Sequence, residues 1–183
     1  MMKMLPNMTV ICPADYEQTR QATLAIADYE GPVYLRFGRP KLPVFYKTDA
    51  PFEIGKAQKL MSGDDVTIIA TGYMVWEAIK AAQILKEKGI HADVLNIHTI
   101  KPLDTDAILE SAARTGKVVT AEEHQRLGGL GGSVSQVLAE NNPTPMRMVA
   151  VDDSFGESGT PTQLMDKYGL NADAIVTKTL EIL

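Results

Sequence analysis

Val66-Thr67-Ile68-Ile69-Ala70-Thr71-Gly72 is the stretch whose reading decides the fold. A short apolar run closed by Thr-Gly suits a strand buried on both faces, and a helical period follows at once. Val75, Ile79, Ala82 and Leu85 fall on one face, and Glu77, Lys80, Gln83 and Glu87 on the other. Gly89 is placed to end that helix in a left-handed conformation. Ala92 to His98 reads as the next strand. Pro102 and Asp104 introduce a second helix, with Ile108, Leu109, Ala112 and Ala113 inward and Gly116 as its stop. Val118 and Val119 open a third strand that runs into Glu122-Glu123-His124. Strands alternating with helices of this length imply right-handed crossovers and a parallel sheet covered by helices.

Upstream, Met8 to Cys12 reads as a strand, and Pro13-Ala14-Asp15 opens a helix. Asp15 is its cap and Gln18 stands three residues on, a capping-box spacing. Ala22, Ala25, Ile26 and Tyr29 form the expected inner stripe, Gly31-Pro32 the stop, and Val33 to Phe37 a second strand. One helix and two strands cannot close a core. Either this piece adds to the following sheet, or it is the tail of another domain. Gly38 to Phe52 carries Pro40, Pro43 and Pro51 and no helical period, so it reads as an extended linker, which favours the second alternative. Phe52 to Ala57 is expected to form an edge strand antiparallel to the rest, and Ser62-Gly63-Asp64-Asp65 a turn.

Downstream, Arg126 to Ser133 is glycine-dense, and a helix with Val134, Val137 and Leu138 inward follows. Such loops bring backbone amides to an anion at a helix start. The dinucleotide pattern needs a third glycine where Val134 stands, so tight turns and close packing are the favoured account of the loop. Met146 to Val151 is a further strand, and Asp152 to Gly159 a polar loop. Thr160-Pro161-Thr162-Gln163 starts a helix in cap, proline, capping-box order, and Tyr168-Gly169 ends it. Asn171 caps a last helix expected to bury Ile175, Val176, Leu180 and Leu183.

The 183 residues carry a net charge of -5 without a basic run, which argues against nucleic acid as a partner. The one cysteine, Cys12, precludes an internal disulfide and fits a reducing compartment. No apolar stretch is long enough to span a bilayer, so a cytoplasmic protein is expected. Glu122, Glu123 and His124 lie at the carboxyl end of a parallel strand, where open sheets place ligands. Glu123 and His124, with Gly129 and Gly131, are candidates for an interface or a site loop. No second catalytic partner is identifiable, so no catalytic residue is named. His98 serves the turn before Pro102, His91 is exposed at a strand start, and Cys12 is a small packed residue. No histidine–cysteine cluster suggests a metal. Arg36 and Arg39 flank Phe37-Gly38 after a strand, a placement that can grip a phosphate.

Ordered words along nearly the whole chain resemble the C-terminal section of transketolase, in the form made as a separate subunit. They are Leu5-Pro6-Asn7-Met8, Pro13-Ala14-Asp15, Gly31 to Arg39, Asp65 to Gly72, Ile97 to Asp104, Glu122 to Gly131 and Asp153 to Pro161. Deoxyxylulose-phosphate synthase and the beta subunits of 2-oxo acid dehydrogenases share the architecture. Glu122-Glu123-His124 followed by Gly128-Gly129-Leu130-Gly131 is more similar to transketolase than to either.

The resemblance implies a three-layer α/β sandwich with a mostly parallel five-stranded sheet and one antiparallel edge strand. It implies that residues 1–40 end a pyrimidine-binding domain, 41–52 form a linker and 53–183 the transketolase C-terminal domain. The family moves a two-carbon ketol unit between sugar phosphates of the pentose phosphate pathway, using thiamine diphosphate and Mg. Asp15 resembles the family carboxylate that reads a sugar hydroxyl, and Arg39 the arginine that holds the sugar phosphate, with Arg36 as second choice. The family's activating glutamate precedes the first residue of this chain, and Gly63-Asp64-Asp65 does not reproduce the diphosphate and metal word. The expectation is therefore a transferase part, inactive alone and binding no coenzyme by itself. It would assemble with an N-terminal transketolase subunit or domain and form a homo-oligomer such as a dimer. The alternatives are the C-terminal part of a related enzyme, a deoxyxylulose-phosphate synthase or a 2-oxo acid dehydrogenase beta subunit, or a non-catalytic assembly module or nucleotide-binding domain using the glycine loop.

Overall fold

A computed structural model describes residues 1–38, 42–46, 50 and 52–183. After a single 3-10 turn at Met2–Met4, the order is β1 (Thr9–Ile11), α1 (Tyr16–Ala27) and β2 (Val33–Leu35). Then come β3 (Gln58–Met61), β4 (Val66–Ala70), α2 (Met74–Glu87), β5 (Ala92–Asn96), β6 (Thr99–Lys101) and α3 (Thr105–Thr115). The chain finishes with β7 (Val118–Gln125), α4 (Leu130–Asn141), β8 (Met146–Val151), α5 (Pro161–Lys167) and α6 (Ala172–Leu180).

The larger sheet has five strands in the order β3-β5-β4-β7-β8, parallel except for the edge strand β3. Its faces follow from alternation along β4. Val66, Ile68 and Ala70 pack with α2 and α6, and Ile69 packs with α3 and α4, which gives three layers. Thr67, also on the α3 side, is buried because Ser111 and Thr115 satisfy its hydroxyl at 2.7 Å each. The buried Asp93 carboxylate beside them accepts from Ser111 and pairs with Arg114.

The cap assignments hold. Asp15, Asp104 and Asn171 each accept an amide of the first turn they cap, and Thr160 and Gln163 close a capping box. Gly89 and Gly116 take positive φ at the ends of α2 and α3. The differences lie at margins. The antiparallel edge strand begins at Gln58, after the Phe52–Ala57 stretch, because Ala57 N–H is drawn to Asp104 Oδ2 at 2.8 Å. Ala113 faces solvent, since the stripe of α3 on the sheet is only as wide as Ile108, Ser111, Ala112 and Thr115. Leu180 and Leu183 are about half exposed past the sheet edge, and Thr179 fills the buried position. Glu77, expected on the polar face of α2, is buried and accepts from Ala172 N–H at 2.9 Å. In α1 only Ala22 of the expected stripe is buried, and Leu24 is 59% exposed. No helix among the described residues is long and apolar enough to cross a membrane.

The first residues build a second sheet with a strand borrowed from the later chain. β1 pairs parallel with β2 and antiparallel with β6, in the order β2-β1-β6. Ile97 N–H bonds Ala70 O at 2.8 Å, within the larger sheet, while His98 O accepts from Cys12 N–H at 2.7 Å. Residues 97–101 thus carry the chain from one sheet directly into the other. His98 is buried at this seam, stacked on Phe52 with ring centroids 4.4 Å apart and its Nδ1 3.0 Å from Thr99 Oγ1.

Burial pushes the His98 imidazole down to about 4, against a small opposing pull from Asp104. A depressed histidine favours the neutral ring in the fold, so its contribution is present above pH 6.5 and is lost as pH falls through about 4. A shift of this size is worth about 3 kcal/mol. Denaturant unfolding should show stability falling across that interval. His98→Gln should flatten the slope, and an unchanged slope would remove His98 as its source.

Candidate functional site

Two cavities flank the seam between the sheets. One, of about 540 Å³, is lined by Asp15, Thr19, Phe37, Gly38, Leu42 and Tyr73. The other, of about 430 Å³, is lined by Lys3, Cys12, Arg36, Ile100, Glu122 and His124, among others.

Asp15 leaves the carboxyl end of β1 and is 5% exposed. Its Oδ1 accepts from Gln18 N–H at 2.9 Å and caps α1. Its Oδ2 accepts from Phe45 N–H at 2.8 Å and Tyr46 N–H at 2.7 Å. The Phe45 ring stacks on Trp76 of α2 with centroids 5.8 Å apart. The carboxylate therefore anchors residues 45–46, part of the segment read as linker, onto the body of the protein.

The structure separates Arg36 from Asp15. Arg36 and Phe37 are consecutive where β2 ends, and they line different cavities. Arg36 donates to Glu123 O at 3.1 Å and toward Cys12 Sγ at 3.8 Å, with Glu123 Oε2 at 3.9 Å. Arg39, the other arginine named from the sequence, lies outside the described residues. Cys12 is buried, and burial pushes its thiol up despite the pull of Arg36, so the thiol is held protonated and unreactive. Gly72 sits against it with φ +55°, where a Cβ would stand 2.7 Å from Sγ.

Glu122, named from the sequence with Glu123 and His124 at a strand end, takes a structural role. It is 2% exposed, and its two oxygens accept from Leu130 N–H at 2.7 Å and Gly131 N–H at 2.8 Å, the first amides of α4. Burial raises its pKa, against the two amides, His124 and Lys3. The glycines fit this contact. A Cβ on Gly129 would stand 2.0 Å from Glu122 Oε2, and one on Gly131 2.9 Å from Met148 Sδ and Thr120 Oγ1. The helix start that the glycine loop would offer an external anion is filled by the chain's own carboxylate. The available sequence signal was an acid at a strand end followed, a few residues on, by glycines opening a helix. Glu123 is half-exposed beside Arg36, and His124 is exposed with Nδ1 2.9 Å from Gln125 O and 3.9 Å from Glu122 Oε2.

Cys12, Glu122 and His124 all line the second cavity, but Arg36 is directed at the Cys12 thiol and the Glu122 carboxylate is committed to the α4 amides. Among the described residues, no group of three or more His, Cys, Asp or Glu side chains could hold a metal ion. The arrangement offers carboxylate and guanidinium contacts to a polar ligand, and a rigid seam.

Residues 55–175 match the model of the transketolase C-terminal domain, and the chain belongs to that family. It is 47% identical to a 6-deoxy-6-sulfo-D-fructose transketolase subunit of a Clostridium species, over 99% of this chain and 56% of that protein. It is 40% identical to an apulose-4-phosphate transketolase subunit of Phocaeicola vulgatus, over 100% of this chain and 58% of that protein. A solved structure described as a split gene transketolase, an inactive beta4 tetramer, superposes with a TM-score of 0.96 at 47% identity, covering 100% of this chain and 60% of that one. The chain thus spans a little over half the length of the relatives it matches.

Asp15→Asn keeps the oxygen that caps α1 but turns an amide nitrogen toward Phe45 and Tyr46 N–H. Hydrogen exchange at those two amides should rise by about tenfold or more, the loss of a charge-assisted bond, with α1 still formed. Unchanged protection at both would remove Asp15 as the anchor.

Proposed function

We propose that this chain is the C-terminal part of a thiamine-diphosphate-dependent transketolase. In the assembled enzyme it contributes substrate contacts and subunit packing to the transfer of a two-carbon ketol unit between sugar phosphates. The observation that supports this most is continuous similarity to two transketolase subunits through both sheets, with Asp15 and the Arg36–Arg39 stretch inside the matched region. Residues 1–40 would be the end of a pyrimidine-binding domain, and 53–183 the C-terminal domain.

The chemistry of the Asp15 cavity suits a sugar phosphate. A carboxylate there accepts from a sugar hydroxyl, and the resemblance gives the phosphate contact to Arg39, which follows Gly38 in the sequence. Asp15 Oδ2 is engaged by Phe45 and Tyr46 N–H, so a hydroxyl that reaches it competes with those amides. Thiamine diphosphate, when bound, supplies the carbanion chemistry. The described residues give that group no cradle at the glycine loop, whose amides are taken by Glu122, and no group of three or more His, Cys, Asp or Glu for a divalent ion. We assign coenzyme and Mg to an N-terminal subunit or domain in a cytoplasmic enzyme. Self-association is supported by α1, where Tyr16 is 72% and Leu24 59% exposed, and by the open edge of β2.

The test is ketol transfer from xylulose 5-phosphate to ribose 5-phosphate, with thiamine diphosphate and Mg present. The chain alone should give no turnover. Assembled with a polypeptide supplying the remaining length of the relatives, it should turn over. Asp15→Asn should then lower kcat/KM by about tenfold to a hundredfold, as for loss of a charged hydrogen bond. Turnover by the chain alone, or an assembled enzyme indifferent to Asp15→Asn, would contradict the proposal.

A further inference from the structure

The 430 Å³ cavity lies at a switch point of the larger sheet. β4 is flanked by β5 on one side and β7 on the other; Thr71, just past the end of β4, and Glu122, just past the last β7 position paired with β4, both line the cavity. Open parallel sheets take ligands in this crevice, outside the carboxyl ends of diverging strands. The smaller sheet forms the opposing wall through Val10, Tyr34 and Ile100.

We propose that this cavity is a binding site for a small organic anion, a phosphate monoester or a carboxylate on a short carbon chain. Two cations line it. Lys3 Nζ donates to Gly129 O at 3.0 Å and Ser133 Oγ at 2.7 Å, and an ammonium carries three donors. Arg36 directs hydrogen bonds at Glu123 O and Cys12 Sγ and has Glu123 Oε2 at 3.9 Å, beyond hydrogen-bond reach, while a guanidinium carries five donors. Both retain donors that the described residues do not use. The anion already lining the cavity, Glu122, is committed to the amides of Leu130 and Gly131 and does not exhaust these two cations. Val10, Ile100 and Leu130 supply apolar wall for a carbon chain, and the volume falls in the lower part of the usual range for small-ligand sites. A nucleoside diphosphate is a poor fit, because the helix amides that would cradle it are spent. The site shares no lining residue with the Asp15 cavity; its overlap with the transketolase reading is Arg36, the second-choice phosphate contact there, so the Lys3 and Ile100 variants separate the two.

Calorimetric titration of the whole chain with propyl phosphate, butyrate and 1-propanol tests this. At least one anion should bind saturably and the alcohol should not. The anion that binds identifies the head group as phosphate or carboxylate. Arg36→Gln should weaken binding by about tenfold or more, and Arg147→Gln, on the exposed side of β8, should leave it unchanged. If circular dichroism shows Arg36→Gln unfolded, Lys3→Gln serves for the charge and Ile100→Trp for the wall, and either should weaken binding. Failure of both anions to bind, or binding that survives loss of the cation and filling of the wall, would overturn the proposal.

Discussion

Glu122 leaves the central part of β7 with its carboxylate out of solvent and both oxygens on the first amides of α4. The glycines around it have no freedom to change, because side chains at Gly129 or Gly131 would occupy the space of the carboxylate or of the strand behind. The contact is held against a desolvation cost: burial outweighs the amides and raises the acid's pKa. Two charge-assisted bonds and the positive end of α4 keep it in place. With α4 fixed in this way, Leu130, Val134 and Leu138 complete the second apolar layer on the sheet.

The other constraint is the short run from Ile97 to Lys101. It ends one sheet and supplies the edge of another, with His98 buried between them. Cys12 packs onto Gly72 from the first residues of the chain, and Thr71 Oγ1 donates to Cys12 O at 3.3 Å. The two sheets are therefore fastened by the continuous run 97–101, by the backbone bond from Cys12 N–H to His98 O and by the Thr71 hydroxyl on Cys12 O. Of the cavities at this seam, one carries the Asp15 carboxylate and the other Arg36 with Glu122.

The alternating core from Val66 to His124 was legible because its strands are short apolar runs and its helices keep one clear period. Caps were legible because Asp15, Asp104, Thr160 and Asn171 satisfy a local rule that tertiary packing did not override. The edge strand was misplaced because Gln58–Met61 is half buried and has no alternation to read. Glu77 escaped because helical periodicity assigns acids to solvent, and for Glu122, placed by the sequence at a strand end, only the fold shows which two amides it holds. Arg36 and Asp15 read as neighbours in purpose, yet the turn out of β2 sends them to separate cavities. A linear pattern holds no signal for that divergence.

The glycine loop is closed by the protein's own acid, so the amides that open α4 are spent within the chain. Nuclear magnetic resonance can follow the Leu130 and Gly131 amides of the chain as thiamine diphosphate and Mg²⁺ are added. Both signals should stay where they are, with Glu122 still bound to them. A saturable displacement of the two signals would mean that the loop opens to a diphosphate after all.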